Sequence, residues 1–251
     1  MLSEEVPDYE ANSLLSQYLF FHYGKANQQF PFPLGAADGL NFPQRCAEMA
    51  LQHTDSSRRD CALDLGCGVG ASAVALSAHF NRVLGLDFSH AFVDAANGLL
   101  KTGSRQIQIA DEANLSRSFT IALPTDCKPD RVRFIQGDAQ FLPADIGLFD
   151  LVLACNLLCR LSQPLHLVER LPSLVNPGGN LLITTPLTWL QHLTPDASRI
   201  GNRNQSAIQA LRELFVNHFE LVTQADMPFI IREHLRKYQY GIAQASIWRR
   251  L

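Results

Sequence analysis

The stretch Cys61–Leu76, CALDLGCGVGASAVAL, constrains the fold of this chain more than any other. A short apolar run reads as a buried strand. Glycines at 66, 68 and 70 follow, and a run of small residues then reads as a helix. A strand that becomes a helix through glycines is one step of an alternating β/α chain, and such a turn lets a ligand come close to the backbone. The spacing Gly66-x-Gly68-x-x-Ala71 fits a dinucleotide fingerprint, and it also fits a plain tight turn. It is no P-loop, because no Lys-Ser/Thr follows the glycines. Asp64, two residues before Gly66, separates the ligands. A carboxylate at the strand end repels a pyrophosphate and attracts an ammonium or a sulfonium. S-adenosylmethionine (SAM) carries both cations and no phosphate.

Strand and helix patterns alternate along the rest of the chain. Helices are expected over 9–22, 43–54, 71–79, 89–101, 164–175 and 205–217. Strands are expected at Cys61–Leu65, RVLGLDFS, RVRFIQGDA, FDLVLACNLL and NLLITTP. The polar stretch 102–129 is expected to hold an extra hairpin. FELVTQAD, MPFIIREH and QASIWRR read as three β segments, which predicts an antiparallel hairpin at the edge of a parallel sheet. No linker divides the chain. The expectation is one α/β domain over 1–251, with an N-terminal helical cap (1–55), a ligand-binding core (60–185) and substrate-side elements (186–251).

Composition removes some functions. With 251 residues, 47% of them hydrophobic, the chain can build one sizeable core. A net charge of −3 leaves no electrostatic footprint for nucleic acid. The short cluster Arg232, Arg236, Lys237 reads as a solvated face. MLSEEVPDYE is acidic and has no apolar h-region, so no signal peptide is expected. No run of about 18 apolar residues exists, so no membrane span is expected. The six cysteines, at 46, 61, 67, 127, 155 and 159, form no C-x-x-C pair. They read as small buried thiols of a cytoplasmic protein, with no metal site.

Beyond the carboxyl ends of the strands, polar residues recur. Asp64 stands near the end of the first strand, and Asp87, 23 residues on, ends the second. A carboxylate at that second position accepts both ribose hydroxyls of a nucleoside. Phe88 suits an adenine face, and Asp138 in QGDA suits the adenine amino group. Asn156 ends the fourth strand, where the reactive end of the ligand belongs. Each has a plain alternative: Asp87 as a helix cap and Asp138 as a turn residue. Four polar residues at successive strand ends favour SAM over four coincidences.

LDLGCGVG, LGLDFS, FIQGDA, FDLVLACNLL and NPGGNLLITTP resemble, in that order, the Rossmann-like class I SAM-dependent methyltransferases. The resemblance covers roughly residues 60–185. It implies a mostly parallel seven-stranded sheet with helices on both faces. It also implies a SAM site built from Asp64, Gly66, Cys67, Gly68, Gly70, Asp87, Phe88, Asp138, Ala139 and Asn156. A narrower resemblance runs over nearly the whole chain. YLFFHYG, TTPLTWLQHLTP and MPFIIREHLRKYQYGIAQASIWRR are similar to the C-terminal methyltransferase domain of the ovothiol biosynthetic enzyme. That domain is assigned to methylation of a ring nitrogen of 5-thiohistidine (4-mercaptohistidine). The sulfoxide synthase region of that enzyme has no counterpart here, so an association with a separate sulfoxide synthase is implied. The acceptor would meet Tyr23, Arg160, Trp189, Arg232, Tyr238 and Tyr240, with Tyr23, Asn156 and Tyr238 closest to the chemistry. Arg232 and Arg160 suit its carboxylate, because guanidinium binds one bidentately. His22 and His192 suit proton transfer.

Other readings are a methyltransferase of another small molecule at O, N or S, a nicotinamide oxidoreductase, and a SAM binder without activity. A nucleic-acid methyltransferase is disfavoured by charge, and Asn156-Leu-Leu-Cys159 is not the N/D-P-P-Y/F motif.

Overall fold

The computed structural model describes residues 8–251; the segment read above for a leader lies mostly outside them. The helices are α1 (Asn12–Tyr23), α2 (Ala26–Gln29), α3 (Phe42–His53), α4 (Ala71–Leu76), α5 (His90–Thr102), α6 (Pro164–Arg170) and α7 (Ala207–Phe215). The strands are β1 (Cys61–Leu65), β2 (Arg82–Asp87), β3 (Ser104–Ala110), β4 (Ser116–Ala122), β5 (Val132–Gln136), β6 (Phe149–Cys155), β7 (Val175–Thr185), β8 (Phe219–His234) and β9 (Lys237–Arg250). Seven of them form one sheet in the order β5-β2-β1-β6-β7-β9-β8. Only β9 runs against the others, pairing antiparallel with both β7 and β8.

Central strand β6 shows why the sheet is parallel and covered. Leu151, Val152, Leu153 and Ala154 are all fully buried, as a strand with two covered faces requires. Leu151 and Leu153 face the core under α3 and α4. Val152 and Ala154 face the opposite core under α6 and α7, where Trp248 of β9 also packs. The α/β class, the seven strands and the C-terminal hairpin therefore agree with the sequence reading.

Several boundaries differ from expectation, among them the helix expected over 71–79, which ends at Leu76, and that over 9–22, which begins at Asn12. The helix expected over 164–175 ends at Arg170, and Leu171–Ser173 tightens into a 3₁₀ turn. Pro172 explains this, since its ring clashes with the carbonyl four residues back. β7 begins at Val175 and runs through Asn176-Pro-Gly-Gly179 with a register shift against β6. FELVTQAD and MPFIIREH are one strand, not two. Pro228 is tolerated in its middle because β8 is the sheet edge, where a missing N–H leaves no partner unpaired.

The hairpin expected within 102–129 is present as β3 and β4, a separate two-stranded sheet. Its inward Ile107, Ile109 and Ile121 pack with Leu15, Leu19 and Phe20 of α1 and with Phe92 and Leu99 of α5.

The β8–β9 hairpin is longer than the sheet it joins. β7 stops at Thr185, opposite Gln244, while β8 and β9 stay paired out to His234 and Lys237. The overshoot stands beyond the carboxyl edge of the sheet and meets α1 and the β3–β4 hairpin. Arg232 joins these pieces and is 4% exposed. It donates to the Gln28 carbonyl at 2.9 Å and faces Asp111 at 3.5 Å. Its guanidinium lies 5.7 Å from the Phe20 ring centre and 5.9 Å from that of Phe119. Arg232→Ala removes one of the two guanidiniums that face the nearly buried Asp111 carboxylate and the donor to the Gln28 carbonyl; breaking a buried pair outright costs about 3–5 kcal/mol. Urea unfolding should register a loss near the lower end of that range, because Asp111 also pairs with Arg117.

Candidate active site at the carboxyl edge of the sheet

β1 and β2 end in register, and the loop between β1 and α4 folds back over β2. The N–H groups of Gly66 and Cys67 both donate to the Leu86 carbonyl, at 2.8 and 3.1 Å. Gly66, Gly68 and Gly70 all have left-handed backbone, with φ of 65°, 56° and 90°. Space is short as well. A Cβ on Gly70 would lie 2.2 Å from the Phe134 ring, and one on Gly68 would lie 3.3 Å from His22. The glycines thus serve the protein's own packing as well as the approach of a ligand.

Neighbouring elements hold this loop from two sides. From β2, Asp87 Oδ2 accepts the Gly68 N–H at 2.8 Å and Oδ1 accepts that of Ser89 at 3.0 Å. From α1, Tyr23 donates its hydroxyl to the Val69 carbonyl at 2.9 Å. His22 Nδ1 accepts the Ala71 N–H at 3.2 Å. Ser89, not Asp87, caps α5, by accepting from Phe92 N–H. Asp87 therefore braces the loop, and each of its oxygens keeps a second lone pair.

Asp64 is the unusual group. It is 2% exposed, and its Oδ2 has no hydrogen-bond partner among the described residues. Burial pushes its pKa up to about 7, against the pull of the Ala73 N–H and with a further push from Asp87. A buried acceptor without a donor fits a site for a cationic group, and SAM brings an ammonium. Burial also raises the pKa of Asp87.

The remaining cofactor candidates gather at the same edge. Phe88 is 69% exposed, an open ring beside Asp87. Cys67 and Ala139 are buried beneath the site. Asp138 Oδ1 accepts from Gln140 N–H at 2.8 Å, so the turn role holds, while its other oxygen has only a long 3.4 Å contact. Asn156 has left-handed backbone, with φ of 52°. Its Oδ1 accepts from Thr184 Oγ1 at 3.0 Å, which pins it to β7 and occupies one acceptor position.

The acceptor-side candidates do not assemble as expected. Tyr23 has spent its hydroxyl on Val69, and burial holds its pKa far above the usual phenol range. Tyr238 donates to the Leu235 carbonyl at 2.9 Å, and its ring packs edge-on against Phe30. Arg232 is sealed between α1 and the β3–β4 hairpin. Trp189 packs against the core under α6 and α7. Tyr240 is 53% exposed on the overshooting hairpin. Arg160 donates to the Thr188 carbonyl at 3.1 Å and stands beside Tyr9, whose pKa it lowers against the rise from burial. That puts Arg160 next to the N-terminal cover. His22 is no proton shuttle: burial lowers its pKa to about 3. His192 is exposed.

Sequence reasoning missed Tyr9 and Tyr18. Their ring centres are 6.1 Å apart, and Tyr18 lies 4.9 Å from Phe92. Tyr18 Cδ1 would lie 3.7 Å from a Cβ on Gly68, which puts its ring at the same edge. The aromatic spacing in YEANSLLSQY was legible, but only as a helix face.

The raised pKa of Asp64 has a stability consequence. Between its unfolded value of 3.8 and about 7 the native state holds the extra proton, so stability falls as pH rises through that window. Asp64→Asn should therefore raise the urea midpoint of the ligand-free protein at about pH 8. Near pH 4 the difference should be small, because the native carboxyl is already neutral there.

Residues 63–183 match the protein family described as "Methyltransferase domain". The chain is 27% identical over 163 residues to demethylmenaquinone methyltransferase of Clavibacter sepedonicus, covering 60% of this chain and 56% of that protein. It is 26% identical over 123 residues to a ubiquinone biosynthesis O-methyltransferase of Coxiella burnetii, covering 49% and 42%. The chain thus spans about half the length of the curated relatives it matches. Among solved structures, the N-methyltransferase NodS from Bradyrhizobium japonicum WM9, in complex with S-adenosylhomocysteine, aligns over 96% of this chain and 99% of its own. The TM-score is 0.56 at 15% identity. Magnesium protoporphyrin IX methyltransferase from Synechocystis PCC 6803, also with bound S-adenosylhomocysteine, aligns over 88% and 89%, with a TM-score of 0.52 at 16% identity. Residues 63–183 of this chain thus match the methyltransferase-domain family, and the chain has the Rossmann-like class I methyltransferase fold of these structures.

Proposed function

We propose that this chain transfers the methyl group of SAM to a small-molecule acceptor. The observation that carries the reading is the buried, donorless Oδ2 of Asp64 beside a glycine loop at the carboxyl edge of the sheet. SAM supplies an electron-poor methyl on a sulfonium, which a nucleophile takes by in-line displacement. The work left to the protein is alignment, which is worth on the order of 7–11 kcal/mol for well-oriented pairs. Asp64 accepts from the ammonium of the cofactor's amino-acid end. The free lone pairs of Asp87 accept from the ribose hydroxyls. Phe88 offers the adenine a face, and Asp138 Oδ2 accepts from its amino group. The acceptor enters beyond β6 and β7, near Asn156. Leu187, Tyr240 and Ile242 expose apolar surface on the segments that flank this end of the sheet.

The relatives differ in the acceptor their names give, so the shared core does not choose between oxygen and nitrogen. The reading that the acceptor is a ring nitrogen of 5-thiohistidine rests on the resemblance outside the core, in YLFFHYG, TTPLTWLQHLTP and the final β8–β9 segment. Such a site must hold the more nucleophilic sulfur away from the methyl. With Tyr23 and Tyr238 engaged inside the protein, that duty falls to Tyr240 and to the backbone near Asn156. An association with a sulfoxide synthase belongs to this second reading.

The test is an incubation with limiting SAM and an equal mixture of 5-thiohistidine, histidine and a panel of phenols, thiols and amines. Mass spectrometry and NMR identify the product. N-methylated thiohistidine, with histidine rejected by about 10⁴-fold, supports the specific reading. Transfer to another acceptor, S-methylation, or equal methylation of both imidazoles ends it and leaves methyl transfer standing. SAM binding without transfer to any acceptor would count against the enzyme reading itself.

Asp87→Ala should weaken S-adenosylhomocysteine binding by at least roughly tenfold in calorimetry. Each hydrogen bond to a charged group is worth about 1.5–3 kcal/mol, and the brace on Gly68 is lost as well. Unchanged affinity would remove Asp87 from the ribose.

A further inference from the structure

His22 is buried, 7% exposed, and nothing so far explains its second ring nitrogen. Nδ1 accepts the Ala71 N–H at 3.2 Å, so Nδ1 carries the lone pair. In the neutral ring the proton then sits on Nε2, and Nε2 is a donor only. Among the described residues none accepts a hydrogen bond from it. Its position is defined by the glycine loop: a Cβ on Gly68 would lie 3.3 Å from both Nε2 and Cε1. The protein therefore holds a fixed, unused N–H donor over the middle glycine of the loop. On the strand side of the same loop, Asp64 holds a fixed, unused acceptor.

We propose that His22 Nε2–H binds the α-carboxylate of the cofactor's amino-acid end, as the counterpart of Asp64 on the ammonium. This rests on the SAM reading above. An amino-acid end carries one cation and one anion, and a neutral donor and a carboxylate acceptor on either side of the loop match them in sign. Two other polar groups of α1 near the loop are already committed, and the Tyr18 ring also lies against Gly68, its Cδ1 3.7 Å from a Cβ there. The Tyr23 hydroxyl is used by Val69, and the His22 carbonyl accepts from Gln44. Because burial keeps the ring neutral down to acid pH, the donor does not depend on protonation near neutrality. His22 is thus a cofactor-positioning residue, not a base.

His22→Asn separates the two ring nitrogens. The asparagine Oδ1 takes the place of Nδ1 and keeps the Ala71 N–H satisfied, while the position of Nε2 is left empty. Calorimetry should compare S-adenosylhomocysteine with its decarboxylated analogue. For the first ligand, His22→Asn should raise Kd by roughly ten- to a hundredfold. For the analogue, Kd should stay within about twofold of wild type. Equal losses for both ligands would make His22 merely structural, and no loss for either would remove it from the site. Failure of the wild-type protein to bind S-adenosylhomocysteine would instead overturn the SAM reading. If His22→Asn does not fold, ¹⁵N NMR of the wild-type imidazole decides. Nδ1 should report as unprotonated and Nε2 as protonated in the free protein. S-adenosylhomocysteine should move the Nε2–H signal downfield, and the decarboxylated ligand should not. A protonated Nδ1, or the same shift with both ligands, overturns the assignment.

Discussion

The backbone of residues 66–71 is held in a conformation that few chains adopt, and the rest of the molecule is arranged around keeping it there. Three left-handed glycines in five residues have no preference for this path on their own. The path is fixed because β2 supplies a carboxylate to the Gly68 N–H and α1 supplies an acceptor to Ala71 and a donor to Val69. The helix before the first strand is thus part of the loop's own structure. α1 is in turn held by the β3–β4 hairpin and by the overshoot of β8, through Phe20, Phe119 and Arg232.

The same edge concentrates unfavourable electrostatics. Burial raises the proton affinity of both Asp64 and Asp87, with a further push on Asp64 from Asp87 and on Asp87 from Glu10. Buried carboxylates of this kind oppose folding in the absence of a ligand, and the ammonium of the proposed SAM site would relieve that cost. The hydroxyls and guanidinium chosen from sequence for the acceptor show the opposite economy. The Tyr23 and Tyr238 hydroxyls are satisfied internally, and Arg232 is buried on Gln28 and Asp111 with only its Nε unpaired, so they leave little for a guest.

What could be read from sequence follows the range of the interactions involved. β1, the loop, β2 and Asp87 lie within a few residues of their partners, and periodicity with glycine spacing was enough to place them. The β3–β4 hairpin was legible because its alternating isoleucines need only a partner segment nearby. Arg232 was misread because its partners lie 204 and 121 residues away, and an apolar flank marks burial without saying against what. His22 and Tyr23 were misread for the same reason: their partners in the loop are 49 and 46 residues distant. A polar residue in an apolar segment has the same local signature whether it serves a ligand or a distant carbonyl.

The order of the last strands bears on how this chain is made. β9 follows β8 in synthesis yet lies between β7 and β8 in the sheet. Until β9 has left the ribosome, β7 keeps an open edge and the sixteen residues of β8 have no neighbour to pair with. Unpaired edges of this kind are sticky, and chains grow slowly relative to local folding. Arg232, on β8, cannot settle between α1 and the β3–β4 hairpin before that insertion. The cover over the glycine loop therefore closes only after β9 has slotted in, and a nascent chain stalled short of Lys237 would expose two strand edges and an unfinished roof together.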